Sequence, residues 1–177
     1  MVARAGGIMA ILGILEDSQD ERLVVAACQA LEKLALDADN EAAVTEMGGR
    51  ALLYQLATTS TSGRVQETAW QTLQSCTCQK SGHVEEDAFD MQNWAQVLLP
   101  RLQDYPTQLT AAVATAANLC VADPMAAAQF GTAGGLVAMA TALQRHWTDA
   151  AIRSELAGSM TRICEAVAAT DKEKISS

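Results

Sequence analysis

The chain has 177 residues, of which 50% are hydrophobic and only 4% aromatic, and its formal net charge at pH 7 is −9. This length suits one core of ordinary domain size, and an acidic balance without a cluster of Lys or Arg argues against nucleic acid as the main partner. Ala occurs 34 times, against 11 Gly and 3 Pro. Because Ala has the highest helix propensity, the composition predicts an all-α fold.

The N-terminal segment resembles a secretory signal only superficially. Arg4 precedes an apolar run over residues 6–15, but no small-residue cleavage site follows before Glu16. Elsewhere, charged residues interrupt every apolar stretch before it reaches the roughly 18 residues that a transmembrane helix needs. We therefore expect a soluble chain without a signal peptide or a transmembrane segment.

A glycine pair recurs along the chain and marks corners between helices. The pairs are Gly6-Gly7, Gly48-Gly49 and Gly134-Gly135, separated by 42 and 86 residues, and Met91-Gln92 stands at the missing intermediate place. The apolar segments after the pairs, residues 8–15, 51–57 and 136–143, predict helices of two or three turns. Shorter helices are predicted before two of the pairs, over residues 40–47 and 125–130, starting at Asp39-Asn40 and Asp123-Pro124. Glycine at such a corner allows left-handed backbone angles.

A longer amphipathic helix follows each corner helix after a polar turn. Its apolar positions fall at i, i+4 and i+7, which is one face of a helix, and they recur at steps of 42, 43 and 44 residues. The aligned sets are Ala27, Ala69, Ala112 and Leu156, then Leu31, Leu73, Ala116 and Met160, then Leu34, Cys76, Leu119 and Ile163. Each repeat is therefore predicted to contain a short first helix, a glycine corner, a second helix, a polar turn and a long third helix.

These repeats predict a single solenoid domain over residues 1–177. The repeats cover about residues 1–38, 39–79, 80–123 and 124–170, and residues 171–177 form a frayed polar tail. The third repeat is the least regular, because Pro100 is expected to kink or end the helix that begins near Met91.

The corners Ala5-Gly6-Gly7 and Ala133-Gly134-Gly135, followed by helices such as Ala26-Ala27-x-x-Ala30-Leu31-x-x-Leu34-Ala35, resemble those of armadillo-repeat proteins. The period lies within the ~40 to 47 residues of armadillo and HEAT repeats. The resemblance covers about residues 5–170, with a first repeat that lacks its opening helix. It implies a right-handed superhelix of about four repeats, whose third helices line a concave groove for segments of other proteins.

The same resemblance suggests which residues face the groove. Importin-alpha, within that family, reads basic peptides with a Trp and an Asn one helical turn apart on successive third helices. The aligned Trp positions hold Gln29, Gln71, Ala114 and Gly158, and the aligned Asn positions hold Lys33, Ser75, Asn118 and Arg162. Only Asn118 matches, which argues against a nuclear-import receptor, and Trp70, one position off this face, is predicted to be a core residue.

We nevertheless expect this row of the third helices to bind the partner. Amide and charged groups there can hydrogen-bond a peptide backbone while the packed helices keep the surface rigid. The predicted partner-binding residues, called the third-helix row below, are Gln29, Lys33, Gln71, Ser75, Asn118 and Arg162.

Candidate metal ligands have a simpler explanation as packed residues. Cys76 and Cys78 point about 200° apart on a helix. Cys76, Cys120 and Cys164 are 44 residues apart, which places them in successive helical rows rather than around one ion. We expect packed free thiols. Five widely spaced Cys suit a reducing compartment, so the cytoplasm is expected, with the nucleus and a cytoskeletal or ciliary assembly as alternatives.

Candidate catalytic residues are equally weak. His83 lies in a polar linker and His146 at a turn, where both are interpreted as solvated, and the carboxylate pair Glu16-Asp17 is interpreted as helix-starting residues. We therefore expect no enzymatic activity, no metal and no cofactor.

Two functions remain open from the sequence. The first is a scaffold or adaptor that binds a partner segment along the third-helix groove. Residues 1–49 of this chain have nine acidic residues against three basic ones. The partner segment is therefore expected to be either basic, with salt-sensitive affinity, or simply extended. The second is a structural subunit of a larger complex, held through its ends and convex face. The chain starts almost at its first corner, without a capping unit, so a neighbour or missing repeat is expected to cover Ile8, Ile11 and Leu15.

Overall fold

The computed structural model describes residues 6–77 and 91–176, with side chains up to residue 169, and this part of the chain contains ten helices and no strand. The chain divides into two compact units, Met1–Phe89 and Asp90–Ser177. Among the described residues, each unit contains the second and third helices of two of the four expected repeats.

The first unit contains the first two repeats. Its helices are α1 (Gly7–Asp17), α2 (Glu21–Leu34), α3 (Ala38–Glu46), α4 (Gly49–Thr59) and α5 (Gly63–Ser75). In the order of helices within a repeat, α3 is a first helix, α1 and α4 are second helices, and α2 and α5 are third helices. The predicted elements are all present.

The start of α3 differs from the expectation. The capping residue is Asp37, whose carboxylate accepts hydrogen bonds from the backbone N–H groups of Asp39 and Asn40, each at 3.1 Å. The helix therefore begins two residues before the predicted start, because Asp39 and Asn40 supply N–H groups to the cap rather than the cap itself. Glu16 and Asp17 also differ, since they lie in the last turn of α1 and not at a helix start.

The second unit contains the last two repeats. The helix α6 consists of Met91–Asn93, a π-helical turn at Trp94–Leu98, and Leu99–Leu102; it is followed by α7 (Pro106–Ala122), α8 (Pro124–Thr132), α9 (Gly135–Arg145) and α10 (Ala150–Ser176). Here α8 is a first helix, α6 and α9 are second helices, and α7 and α10 are third helices. The last helix includes residues 171–176, which the sequence analysis assigns to a tail.

The π-helical turn in α6 is explained by Pro100. Proline has no backbone N–H to donate and its ring crowds the carbonyl four residues earlier, so a regular α-helical ladder cannot pass through it. The chain widens one turn ahead of it, where the N–H of Leu99 donates to the carbonyl of Trp94. The expected disturbance therefore takes the form of a widened turn, and the helix ends two residues after Pro100, at Leu102.

The glycine corners have the backbone angles that the sequence predicts. Gly48 has φ +75°, in the left-handed region that costs a residue with a Cβ about 1–2 kcal/mol. Its neighbour Gly49 is needed for a different reason: a Cβ there would lie 2.6 Å from Cγ1 of Val44. Positive φ also occurs at the equivalent first glycines of the other two pairs, Gly6 and Gly134.

The aligned apolar positions form the core. Leu31, Leu73 and Ala116 are fully buried, and Leu34 and Met160 are the only members of the three aligned sets that are half-buried rather than buried. Trp70 is also fully buried, as predicted, and its ring meets that of Tyr54 edge to face at a centroid distance of 6.1 Å.

The expectation for the N-terminal face is wrong for two of its three residues. Ile8 and Leu15 are buried within the first unit itself, because α1 packs against α2, α3 and α4, and Ile11 is half-buried. No neighbour is needed to cover Ile8 or Leu15. The repeat alignment does not show this burial, because the helices that cover Ile8 and Leu15 come after α1 in the chain.

Among the described helices, no single one is both long and apolar enough to cross a membrane. Within residues 6–77 and 91–176, one pair, α8 and α9, reaches that length and apolarity together, and this pair is bent by 67° at its glycine corner.

Replacing Gly48 by Ala should lower the free energy of unfolding by about 1–2 kcal/mol, because the added Cβ is strained at positive φ. Gly63→Ala is the matched control: neither site has a neighbouring atom within 4 Å of the added Cβ, but Gly63 lies at the start of α5 without a positive φ. Urea unfolding should show equal or higher stability for Gly63→Ala. Equal effects of the two substitutions on stability would show that a Cβ at the positive φ of Gly48 causes no strain.

Candidate functional site

The third-helix row is divided between the two units. Gln29 and Lys33 lie on α2, and Gln71 and Ser75 lie on α5, so four of its members belong to the first unit. Asn118 and Arg162 lie on α7 and α10 of the second unit.

In the first unit, the row is carried by two third helices that pack side by side. The helices α2 and α5 are in contact along their lengths, and the hydroxyl of Thr72 donates a 3.1 Å hydrogen bond to the backbone carbonyl of Cys28 on the neighbouring helix. Because Leu31 and Leu73 are buried beneath this contact, positions 29 and 71 are left on the outer surface. The result is a fixed spacing between the two exposed amides.

The side chains of this surface differ in how far they are engaged within the chain. Gln29 and Gln71 are exposed, and each amide offers both a donor and an acceptor. The Lys33 ammonium pairs at 2.8 Å with the carboxylate of Glu32, and the Ser75 hydroxyl donates to the carbonyl of Gln71 at 3.2 Å. The two glutamines are therefore the members of the row best placed to contact a peptide backbone.

The C-terminal end of α5, beside Ser75, is held by a buried arginine that the sequence analysis did not identify. Arg50 lies just after the second glycine corner, and its Nε donates to the carbonyl of Cys76 at 2.9 Å. Its Nη2 forms an ion pair with Oε1 of Glu41 on α3, and both side chains are almost fully buried. One side chain thus links α3, α4 and the end of α5. The available sequence signal was a lone Arg directly before an apolar helix.

In the second unit, the two members of the row contact each other. Asn118 is only 7% exposed, and its Oδ1 accepts a hydrogen bond from Nη2 of Arg162, which is exposed. A partner segment on this surface would therefore meet the guanidinium of Arg162 before the amide of Asn118. The bond also shows that α7 and α10 pack as neighbours, in the same way as α2 and α5.

The exposed charges of the first unit differ in where they lie along the third helices. All its exposed cations among the described residues, Arg22, Lys33 and Arg64, lie on α2 and α5. Most exposed acidic residues of residues 6–49 lie at or beside the two ends of α2. Glu16 and Asp17 are in the last turn of α1, Asp20 and Glu21 are at the start of α2, and Asp37 and Asp39 are at the start of α3. The acidic surplus therefore flanks the row rather than forming it.

The structure describes some, but not all, of the Cys and His residues that the sequence offers as metal ligands. Burial raises the pKa of the Cys28 and Cys120 thiols to about 12, with a smaller contribution from Asp123 for Cys120, so both remain protonated near neutral pH. Among residues 6–77 and 91–169, no group of three or more His, Cys, Asp or Glu side chains could hold a metal ion. Cys78 and His83 lie outside the described residues.

His146 is not simply solvated, as the sequence suggested. Its Nε2 lies 2.7 Å from the backbone carbonyl of Gln103, and the ring is partly buried. Arg145, its neighbour, contacts the side chains of Gln103 and Asp104. This pair of residues therefore joins the turn after α9 to the turn after α6.

No protein-family model matches the chain, and no curated protein matches it. Similar folds are found among solved structures. An engineered protein of the Northeast Structural Genomics Consortium is 22% identical, with a TM-score of 0.74, and the match covers 96% of this chain and 65% of that one. A designed armadillo repeat protein in complex with the peptide (KR)4 is 19% identical, with a TM-score of 0.66, over 92% and 65% of the two chains. This chain thus spans about 65% of the length of each.

The fold is therefore that of an all-α repeat protein, in which the two third helices of each unit pack together. More narrowly, it is an armadillo-like repeat fold. This confirms the fold class predicted from the sequence.

Replacing Arg50 by Met should lower the free energy of unfolding by about 3–5 kcal/mol, because the Glu41 carboxylate is left buried without its cation. The double variant Glu41→Leu/Arg50→Met should recover most of that loss. Arg64→Met, which removes an exposed cation from α5, is the control and should change stability by less than about 0.5 kcal/mol. Urea unfolding measures all three variants. If Arg50→Met lowers stability no more than Arg64→Met does, the buried contacts of Arg50 do not stabilise this part of the fold.

Proposed function

We propose that this chain is a non-catalytic protein-binding scaffold that holds an extended partner segment along its third-helix row. The observation that carries the proposal is the pair Gln29 and Gln71, which are exposed at the same repeat position on two packed third helices. Two amides with both donors and acceptors, at a spacing set by helix packing, can bind the regularly spaced N–H and C=O groups of an extended backbone.

The rigidity of the surface supports this use. Third helices fixed by the Thr72–Cys28 bond and by the Arg50 contacts need little ordering when a partner binds, so less of the interaction energy is lost. Two helical rows at about 10 Å spacing cover roughly six extended residues in the first unit. The designed neighbour, which was solved in complex with a peptide, supports the choice of an extended peptide as the ligand.

The placement of charge refines the expected partner. A basic segment would be attracted to the acidic residues at the ends of α2, whereas acidic residues would suit positions opposite Arg22 and Arg64, which lie on α2 and α5 outside the row. We propose an uncharged or mixed-charge stretch over the glutamines, with any basic residues at its ends. Free thiols at Cys28, Cys76 and Cys120 support a reducing compartment, and we propose the cytoplasm.

A second candidate function is a structural subunit of a larger complex. Leu23 on α2 is 45% exposed, whereas the aligned positions on α5 and α7, Val65 and Gln108, are buried. An exposed apolar side chain at a position that is buried in later repeats favours contact with another subunit.

The scaffold proposal is tested with peptides of about eight residues, selected from a random library on the full chain, since that length covers the two rows with a small overhang. The double variant Gln29→Ala/Gln71→Ala should weaken their binding about tenfold or more by fluorescence anisotropy, which corresponds to the loss of roughly two hydrogen bonds. Both positions are exposed, so thermal stability should not change.

The matched control is Gln19→Ala/Gln55→Ala, which removes two exposed glutamines that are not on a third helix. It should bind the selected peptides as the unmodified chain does. Equal affinity for both double variants would place the binding surface elsewhere. Failure to select any peptide would contradict the scaffold function itself.

A further inference from the structure

Two exposed aromatic side chains lie on the turns that join second and third helices in the second unit. Tyr105, between α6 and α7, is 55% exposed, and Trp147, between α9 and α10, is 59% exposed. Every other aromatic ring that the structure describes is buried or half-buried. The corresponding turns of the first unit, residues 18–20 and 60–62, hold only Ser, Gln, Asp and Thr. This pair, called the aromatic edge below, is therefore a feature of the second unit and not of the repeat.

The two turns of the aromatic edge are bonded to each other. Nε2 of His146 donates to the backbone carbonyl of Gln103 at 2.7 Å, and Nη1 of Arg145 donates to the side-chain oxygen of Gln103 at 3.1 Å. The same guanidinium pairs with the carboxylate of Asp104 at 3.2 Å. Residues next to both aromatic rings are thus in direct contact, which brings the two rings to one surface.

The Trp147 ring is held in place by an arginine of α10. The guanidinium carbon of Arg153 lies 5.3 Å from the ring centroid, over the face of the indole, and Nη1 donates to the backbone carbonyl of Trp147 at 2.6 Å. A large exposed ring that is already ordered loses little freedom when a ligand stacks on it. Trp147 is therefore suited to be the anchor of a binding surface.

Tyr105 occupies a position at which the other third helices have a capping side chain. At steps of 42, 43 and 44 residues its counterparts are Asp20, Ser62 and Asp149, and each accepts a hydrogen bond from a backbone N–H in the first turn of its helix. Of the four third helices that the structure describes, α7 is the one whose N-cap side chain makes no such bond. Departures from local structural preference are typical of functional positions, which favours a binding role for Tyr105.

We propose that the aromatic edge binds a proline-rich, acidic segment of another protein in the polyproline II conformation. Packed helices of successive repeats lie roughly 10 Å apart, and one three-residue turn of a polyproline II helix advances about 9 Å. Prolines at i and i+3 therefore match the spacing of the two turns, so that one stacks on Tyr105 and the other on Trp147. The aromatic edge shares no residue with the third-helix row and does not depend on peptide binding there.

The charges beside the rings determine the sign of the segment. Residues 101–105 and 145–153 contain three arginines and two aspartates, so this surface is locally positive in a chain whose net charge is −9. The Asp149 carboxylate is engaged as the cap of α10, and that of Asp104 pairs with an arginine. Acidic residues that flank the prolines complement this surface, whereas the many phosphates of a polynucleotide are repelled by the rest of the chain.

The probe is a fluorescein-labelled peptide with the one-letter sequence EAPPAPPAE. Its matched control, EPAPAPAPE, has the same composition but no two prolines three residues apart. Fluorescence anisotropy with the full chain should show at least about fivefold tighter binding of the first peptide, because only its prolines can reach both rings. KAPPAPPAK should bind about threefold or more weakly than EAPPAPPAE, because its charge is of the wrong sign.

Three variants test the aromatic edge itself. Trp147→Ala should weaken the binding of EAPPAPPAE about tenfold, because it removes one stacking contact. Tyr105→Ser should weaken it similarly while thermal stability stays equal or rises, because Ser supplies the capping hydroxyl that Ser62 supplies to α5. Val137→Ala, which shortens an apolar side chain that is 72% exposed on α9, is the matched control and should leave the affinity unchanged.

Trp147 also reports directly on whether the surface is occupied. Trp70 and Trp94 are fully buried, so acrylamide quenches mainly the fluorescence of Trp147. Saturating EAPPAPPAE should reduce this quenching at least about twofold, because a stacked proline covers the indole. The double variant Gln29→Ala/Gln71→Ala should show the same protection, which separates this surface from the third-helix row.

Several results would overturn the proposal. They are no binding of EAPPAPPAE at millimolar concentration, equal affinity for EPAPAPAPE, and undiminished affinity of the Trp147→Ala variant. Equal or tighter binding of KAPPAPPAK would contradict the acidic character of the partner segment. A single-stranded RNA oligomer that binds through Trp147 while the proline peptide does not would show that the ligand is a nucleic acid instead.

Discussion

Packing of the two third helices within each unit, α2 on α5 and α7 on α10, is the contact on which the other features of this chain depend. A single amphipathic helix of this length has little stability alone, because nucleation is costly and its apolar face needs a partner. Leu31 and Leu73 are fully buried, and the Thr72 hydroxyl reaches the Cys28 carbonyl across the same contact. Stability in such a protein comes largely from intrinsic repeat terms and nearest-neighbour interfaces.

One periodicity accounts for two surfaces of different character. Positions at one phase of the third helix form the core, and in the first unit the positions two residues earlier, Gln29 and Gln71, form the exposed row. The proposed peptide surface is therefore a consequence of the repeat register.

Much of the fold could be predicted because its determinants are local and recur. The glycine corners, the i, i+4, i+7 spacing of apolar residues and the Asp123 cap are each readable within about ten residues of sequence. The position of Trp70 in the core follows from the same helical phase. The start of α3 was misplaced because four acidic or amide residues lie close together there, and only the backbone geometry shows that Asp37 is the one that caps.

The site was less predictable because its contacts join residues that are distant in sequence. The Arg50–Glu41 pair and the bond from Arg50 to Cys76 depend on how the corner brings α3, α4 and α5 together. The contact between Asn118 and Arg162 spans 44 residues, so alignment placed both on one row without showing that they bind each other. The covering of Ile8 and Leu15 by later helices was missed for the same reason.

Native-state hydrogen exchange of the backbone amides tests the central contact most directly, because it measures the stability of each helix separately. If the packed third helices stabilise one another, the amides of α5 and α7 will exchange slowest, and those of the turns beside them will exchange fastest. Uniform exchange across the helices, or exchange in α5 as fast as in the turns beside it, would show that the repeats do not depend on their neighbours.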